Sequence, residues 1–145
     1  MTTGVPNQTE TETITAILKN YRVVAVVGLS SDPARPSYRV AEYLQEHGYR
    51  IIPVNPSCQN ILGEKCYPSL KEIPFPVEVV DIFRKVDAIP AIVEEAIQIR
   101  AKAVWMQLEL VEPESAQKAR EAGLQVVMDH CLKVEHIRLS GTENL

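Results

Sequence analysis

The sequence predicts a single α/β domain built on a doubly wound parallel sheet of about five strands, with helices on both faces. Three observations predict it. Apolar runs of strand length alternate with helical segments from residue 22 to residue 128, an order that forces parallel pairing through crossovers. The runs are near-continuously apolar, as in Val23-Val24-Ala25-Val26-Val27, the pattern of strands covered on both faces. A length of 145 residues, 46% of them apolar, suits one core, and the chain shows neither internal repeat nor linker.

Residues 1–12 are expected to form a flexible polar tail, residues 13–139 the folded unit and residues 140–145 a fraying end. Ile14, Ile17 and Leu18 fall at helical spacing, which places a short amphipathic helix over 10–20, packed on a sheet edge. The first strand, 22–27, leaves the sheet at Gly28. A helix over 37–47 buries Val40, Ala41 and Leu44, with Ser37 as its N-cap and Gly48 as its stop. The second strand, 49–54, ends in the turn signal Asn55-Pro56. Residues 57–70 are expected to be irregular, with Gly63 in a turn and a helical turn starting at 68–72.

The third strand covers 77–83 and is interrupted by Asp81, expected to cap a helix or orient a strand-end side chain. Asp87 is expected to cap a helix over 87–100, with Pro90 in its tolerated first turn. The fourth strand covers 103–108, with Trp105 in the core. A helix over 113–122 stops at Gly123, the fifth strand covers 125–128, and a last helical turn falls within 130–137.

The net charge of −4 disfavours non-specific nucleic-acid binding, which calls for a basic surface. No apolar run approaches the roughly 20 residues that span a bilayer, and the polar N-terminus has no signal-peptide core. No membrane association and a cytoplasmic location are therefore expected. Cys58, Cys66 and Cys131, an odd set without repeated spacing, do not read as a disulfide framework. Cys58 and Cys66 lie too far apart in the chain for a zinc knuckle and read as structural or incidental. Asp129-His130-Cys131 resembles a triad on paper, but chain neighbours point in different directions, so no catalytic role is assigned. His47 and His136 read as residues without partners.

In such sheets ligands sit outside the carboxyl ends of the strands, where strand order reverses. Gly28 lets the chain turn and a ligand approach. Ser30, Ser31 and Ser37 supply hydroxyls, Arg35 a planar cation, and the following helix start backbone N–H groups, which together suit a phosphate. Arg84, after the third strand, completes a two-arginine clamp for a polyphosphate. The competing reading pairs these arginines with Asp32 and Asp87 at the surface. A dinucleotide site calls for further glycines where Leu29, Ser30 and Ser31 stand, and for an acid where Asn55-Pro56 ends the second strand. NAD is disfavoured on that ground, and Cys58-Gln59-Asn60 supplies no cation for NADP.

Six motifs in order carry a resemblance: Gly28-Leu29-Ser30; Arg35-Pro36-Ser37-Tyr38; Pro53-Val54-Asn55-Pro56; Val80-Asp81-Ile82-Phe83-Arg84; Val104-Trp105-Met106-Gln107-Leu108; and Val127-Met128-Asp129-His130-Cys131. Over residues 12–139 the chain resembles the small CoA-binding domain proteins, whose fold is similar to the CoA-binding domain of the succinyl-CoA synthetase α subunit. The resemblance implies a Rossmann-like fold that binds coenzyme A and has no established catalysis of its own. It implies that Gly28, Leu29, Ser30, Ser31, Arg35 and Ser37 face the phosphates. Val54, Asn55 and Pro56 would border adenine and ribose, Phe83 and Arg84 would flank the nucleotide, and Gln107 would lie toward the pantetheine arm. It also accounts for the missing acid, since a carboxylate would repel the 3′-phosphate of CoA. The second domain of the synthetase subunit, with its phosphorylated histidine, is absent from this sequence, so ligase activity is not implied.

The expected function is binding of CoA or an acyl-CoA by a module without evident catalytic machinery. A mixed disulfide between the CoA thiol and a loop cysteine is a minor variant of this reading. The alternatives are an NAD(P)-binding oxidoreductase-like protein, an acyl-CoA-handling enzyme, and an interaction protein with a vestigial pocket. An edge strand or the first helix could support a homodimer.

Overall fold

In the computed structural model the described residues are 6–141, with side chains described from residue 10. Helix α1 (Pro6–Asn20) precedes strand β1 (Val23–Val27) and helix α2 (Pro36–Glu46). Strand β2 (Arg50–Val54) and the short strands β3 (Asn60–Ile61) and β4 (Glu64–Lys65) follow. Then come β5 (Val79–Ile82), α3 (Ile89–Gln98), β6 (Ala103–Met106), α4 (Pro113–Glu121), β7 (Gln125–Val127) and α5 (Leu132–Ser140). The main sheet has five strands in the order β2-β1-β5-β6-β7, every neighbouring pair parallel. This is the expected doubly wound α/β fold in one small domain. Strand order reverses at β1, whose carboxyl end lies between those of β2 and β5.

Side chains alternate along each strand and feed two apolar layers. Val24 and Val26 of β1, Val79 of β5 and Trp105 of β6 face α1, α2 and α5 through Ile14, Ile17, Leu44 and Leu132. Ala25 and Val27 of β1, Val80 and Ile82 of β5, and Val104 and Met106 of β6 face α3 and α4 through Ile89, Val93, Ala116 and Ala119. Helix α1 packs against the edge strand β7, with Ile14, Ile17 and Leu18 buried. Trp105 is fully enclosed, and its Nε1–H donates to the His130 carbonyl at 2.8 Å. No helix among the described residues is long and apolar enough to cross a membrane.

Several local expectations are corrected. Helix α1 begins at Pro6, so residues 6–12 of the expected tail are helical; residues 1–5 and 142–145 lie outside the described residues. Ser37 does not cap α2. Pro36 occupies the first turn, where its missing N–H costs nothing, and Arg35 holds the N-cap position without a side-chain bond. Asp87 does not cap α3 either; a 3-10 turn (Val86–Ala88) precedes the helix, and Pro90 falls in its first turn. The segment expected to be irregular contains the β3–β4 hairpin. Leu62 and Gly63, with φ of 55° and 78°, make its two-residue turn. Cys58 and Cys66 flank the hairpin and are disulfide-bonded, with Cα atoms 6.0 Å apart. The last helical turn is a nine-residue helix.

His136 and His47 have partners. The Tyr43 hydroxyl lies 2.8 Å from His136 Nδ1, and His47 Nδ1 lies 2.7 Å from the Tyr43 carbonyl. Tyr49 closes edge-on over the His136 ring. Burial first, then His47 and Arg22, hold the His136 imidazolium pKa below its ordinary value.

Candidate functional site

At the end of β1 the chain turns at Gly28, whose φ is +91°. Its N–H donates to the Val54 carbonyl of β2 at 2.9 Å, and the next hydrogen bond on the other side runs from Phe83 N–H to the Val27 carbonyl at 2.8 Å. A Cβ here would collide with the Phe83 carbonyl oxygen and meet Arg84 Cδ at 2.8 Å. Glycine is therefore required twice, by the left-handed backbone and by the close approach of the β5 end.

The loop after Gly28 is folded by its own polar groups. Ser30 N–H donates to Ser37 Oγ at 3.0 Å, Asp32 N–H to Ser30 Oγ at 3.0 Å, and Ala34 N–H to Asp32 Oδ1 at 2.9 Å. The Ser37 hydroxyl thus ties the loop to the start of α2 from a buried position. Asn55 braces the neighbouring turn: its Nδ2 donates to the Leu29 carbonyl at 2.9 Å, and its Oδ1 accepts from Ser57 N–H at 2.8 Å.

Three hollows line up along this edge. Gly28, Ser30, Arg35, Ser37 and Phe83 line the first, about 260 Å³ in volume. Val54, Pro56, Leu70, Arg84 and Glu95 are among the residues lining another of about 240 Å³. Between and beyond them runs a cleft of about 670 Å³, walled by Pro36, Phe83, Arg84, Gln107, Leu110 and Cys131 among others. Phe83 is shared by the first hollow and the cleft, Arg84 by the second hollow and the cleft. Strand ends distant in sequence therefore make one elongated surface.

Of the residues singled out from the sequence, Gly28, Ser30, Arg35, Ser37, Val54, Pro56, Phe83, Arg84 and Gln107 line these hollows. Leu29 turns its side chain into the core and offers only backbone. Asn55 acts as a brace, and Ser31 is exposed outside the hollows. Lys85, Leu108, Leu110 and Cys131 line the cleft without having been anticipated there. Their only sequence signal is proximity to the ends of β5, β6 and β7.

Neither Arg35 nor Arg84 forms an ion pair among the described residues, and both are exposed. The competing pairing with Asp32 and Asp87 is absent from the ion pairs of the described residues. With Lys85 they give this edge three cations with no carboxylate partner among the described residues, a donor set that fits a polyphosphate. The small hollow at Gly28 and the largely apolar cleft beyond Phe83 fit an elongated ligand with an anionic and a neutral part.

Deeper in the sheet, Asp81 of β5 is fully enclosed, and its Oδ1 accepts from Gln107 Nε2 at 2.7 Å. Burial pushes the Asp81 carboxyl up to about 7, against the smaller opposite pull of the Gln107 hydrogen bond. Asp81 thus orients a strand-end side chain, one of the two roles expected of it. The run Asp129-His130-Cys131 disperses. Asp129 Oδ1 accepts from Glu109 N–H at 2.6 Å. His130 lies between Glu10 and Glu135, at 3.2 and 3.3 Å. Cys131 is a free thiol on the cleft wall.

Comparison with known proteins follows the same lines. Residues 22–137 match the family described as the CoA binding domain. The chain is 43% identical over 123 residues to the uncharacterized protein YneT of Bacillus subtilis (strain 168), spanning 85% of this chain and 91% of that protein. It is 27% identical over 125 residues to the ADP-forming acetate–CoA ligase II of Archaeoglobus fulgidus, spanning 83% of this chain but 19% of the ligase. Among solved structures, a hypothetical protein from Pyrococcus horikoshii OT3 superposes with a TM-score of 0.88 at 43% identity, covering 97% of this chain and 99% of that one. The dinucleotide-forming acetyl-coenzyme A synthetase 1 of Ca. Korarchaeum cryptofilum, in complex with phosphate and ADP, gives 0.68 at 26% identity, covering 77% of this chain and 26% of that one.

Proposed function

The chain belongs to the CoA binding domain family, and from that premise we propose that it binds coenzyme A along the carboxyl edge of its sheet. The observation that carries the proposal is the pair Arg35 and Arg84, exposed and without ion-pair partners among the described residues, lining neighbouring hollows that meet at the Gly28–Phe83 contact. In this reading Gly28, Ser30, Arg35 and Ser37 hold the phosphates, with Leu29 contributing backbone and Ser31 standing at the exposed rim. Val54, Asn55 and Pro56 border adenine and ribose, and Phe83 and Arg84 flank the nucleotide. The cleft beyond, with Gln107 on its wall, takes the pantetheine arm. Asn55 in place of an acid leaves the 3′-phosphate without a repelling carboxylate at the end of β2. The chain acts as a binding module in the cytoplasm, for free CoA or an acyl-CoA.

Isothermal titration of nucleotide-stripped protein with CoA, 3′-dephospho-CoA, NAD and NADP tests the reading. CoA is expected to bind tightest and to weaken without its 3′-phosphate. Arg35→Ala and Arg84→Ala should each weaken CoA by about 1–2 kcal/mol, roughly five- to thirtyfold in Kd. Tighter binding of NAD or NADP, or CoA affinity unchanged in both variants, would overturn it.

A further inference from the structure

Asp81 sits in the middle strand of the sheet, beside Val26 of β1 and Trp105 of β6, with no exposed surface. Enclosing a carboxyl among apolar side chains costs free energy. Here only Oδ1 is satisfied, by Gln107; among the described residues, Oδ2 is the one enclosed side-chain oxygen or nitrogen without a partner. A structural hydrogen bond alone would be met more cheaply by a neutral pair.

The asymmetry of the two groups points to a role. Gln107 Nε2 donates to Asp81 Oδ1, and a primary amide that donates at one end presents its acceptor at the other. Asp81 therefore holds the Nε2 end of Gln107 and turns Oε1 the other way. Gln107 is 5% exposed and lines the cleft. Its Oε1 has no partner among the described residues and is not among the enclosed unpartnered atoms, so it reaches the cleft surface. Val40, Phe83, Leu108 and Leu110 supply apolar surface to that cleft, and Arg84, Lys85 and Glu109 also line it. An amide acceptor on this largely apolar wall matches an N–H donor.

We propose, resting on the coenzyme A reading, that Asp81 is a positioning residue. It fixes the Gln107 amide so that Oε1 accepts an amide N–H of the pantetheine arm. The pair then reads the neutral arm and is blind to the nucleotide.

The test compares CoA with adenosine 3′,5′-bisphosphate, which lacks the arm, by titration calorimetry. Gln107→Ala should weaken CoA about five- to tenfold, the loss of one hydrogen bond, and leave the bisphosphate unchanged. Asp81→Leu should do the same. The double variant should lose no more than Gln107→Ala alone, because Asp81 acts through Gln107. Asp81→Asn, which keeps an acceptor, should bind CoA within about threefold of wild type.

In the wild-type chain, whose folding is not at stake, the Gln107 side-chain amide signals in a ¹⁵N–¹H spectrum should move with CoA and stay put with the bisphosphate. Equal losses for both ligands, additive losses in the double variant, or unmoved Gln107 signals would overturn the proposal while leaving the coenzyme A reading intact. Binding of neither ligand by the wild type would overturn both.

Discussion

At Asp81 burial and ionisation are set against each other. The carboxyl has an ordinary value of 3.8 and is pushed up to about 7 in the fold, chiefly by desolvation. Between those values the folded chain holds a proton that the unfolded chain has released. The cost of ionising Asp81 inside the fold is therefore absent below pH 4, grows as pH rises, and is complete above pH 7. That amount is on the order of 4 kcal/mol, since each tenfold weakening of the acid between 3.8 and about 7 corresponds to roughly 1.4 kcal/mol. Asp81→Asn removes the charge, so its stability relative to wild type should grow from pH 4 to pH 8 by about that amount. Urea denaturation of both proteins at pH 4, 6 and 8 checks it. A difference that does not change with pH would mean that the carboxyl ionises normally inside the fold. Gly28 is the opposite kind of residue, one whose lack of a side chain is the function: the β5 end occupies the space that a Cβ would take.

At the scale of elements, the main strands were legible because each is an apolar run closed by a polar or glycine signal. The hairpin was not. Its strands are two residues each, and Leu62-Gly63 lacks the usual Asn-Gly turn signature. The disulfide was hidden for the same reason, because the hairpin register brings Cys58 and Cys66 together. Gly28, Arg35, Phe83 and Arg84 could be picked out because they fall at strand ends, where this fold gathers its ligand residues. Cys131 and Leu110 could not, because their place on the cleft depends on the shape of the loops after β6 and β7. The disulfide has a consequence at this scale. It braces the segment that leads away from Asn55: Cys58 Sγ lies 3.7 Å from the Asn55 carbonyl, and Asn55 N–H donates to the Tyr67 carbonyl at 2.9 Å. For a loop this short, removing the cross-link should destabilise the chain by about 2–3 kcal/mol. Denaturation with and without reductant checks it, with the Cys58→Ser/Cys66→Ser protein as a control that reductant leaves unchanged. Equal stability of the oxidised wild type and the double variant would deny the bridge any structural weight.

At the scale of the whole molecule, two fields of opposite sign act on an anionic ligand. The chain carries a net charge of −4, which repels a polyanion at long range. Arg35, Arg84 and Lys85 stand along one edge, without carboxylate partners among the described residues, and attract it at short range. Salt separates the two. Screening sets in over about 10 Å at 0.1 M, so the distant acids are silenced first and the contacting cations last. Were the net charge decisive, CoA affinity would rise as salt is added from low concentration. With the cations in contact with phosphates, affinity should instead fall steadily with ionic strength, and the slope should become shallower in Arg35→Ala and Arg84→Ala. The same series with pantetheine alone should be flat, since that ligand carries no charge to screen. Titrations from 50 to 500 mM salt, roughly a threefold change in screening length, decide it: affinity that climbs with salt, or variants with the wild-type slope, would place the phosphates away from these arginines.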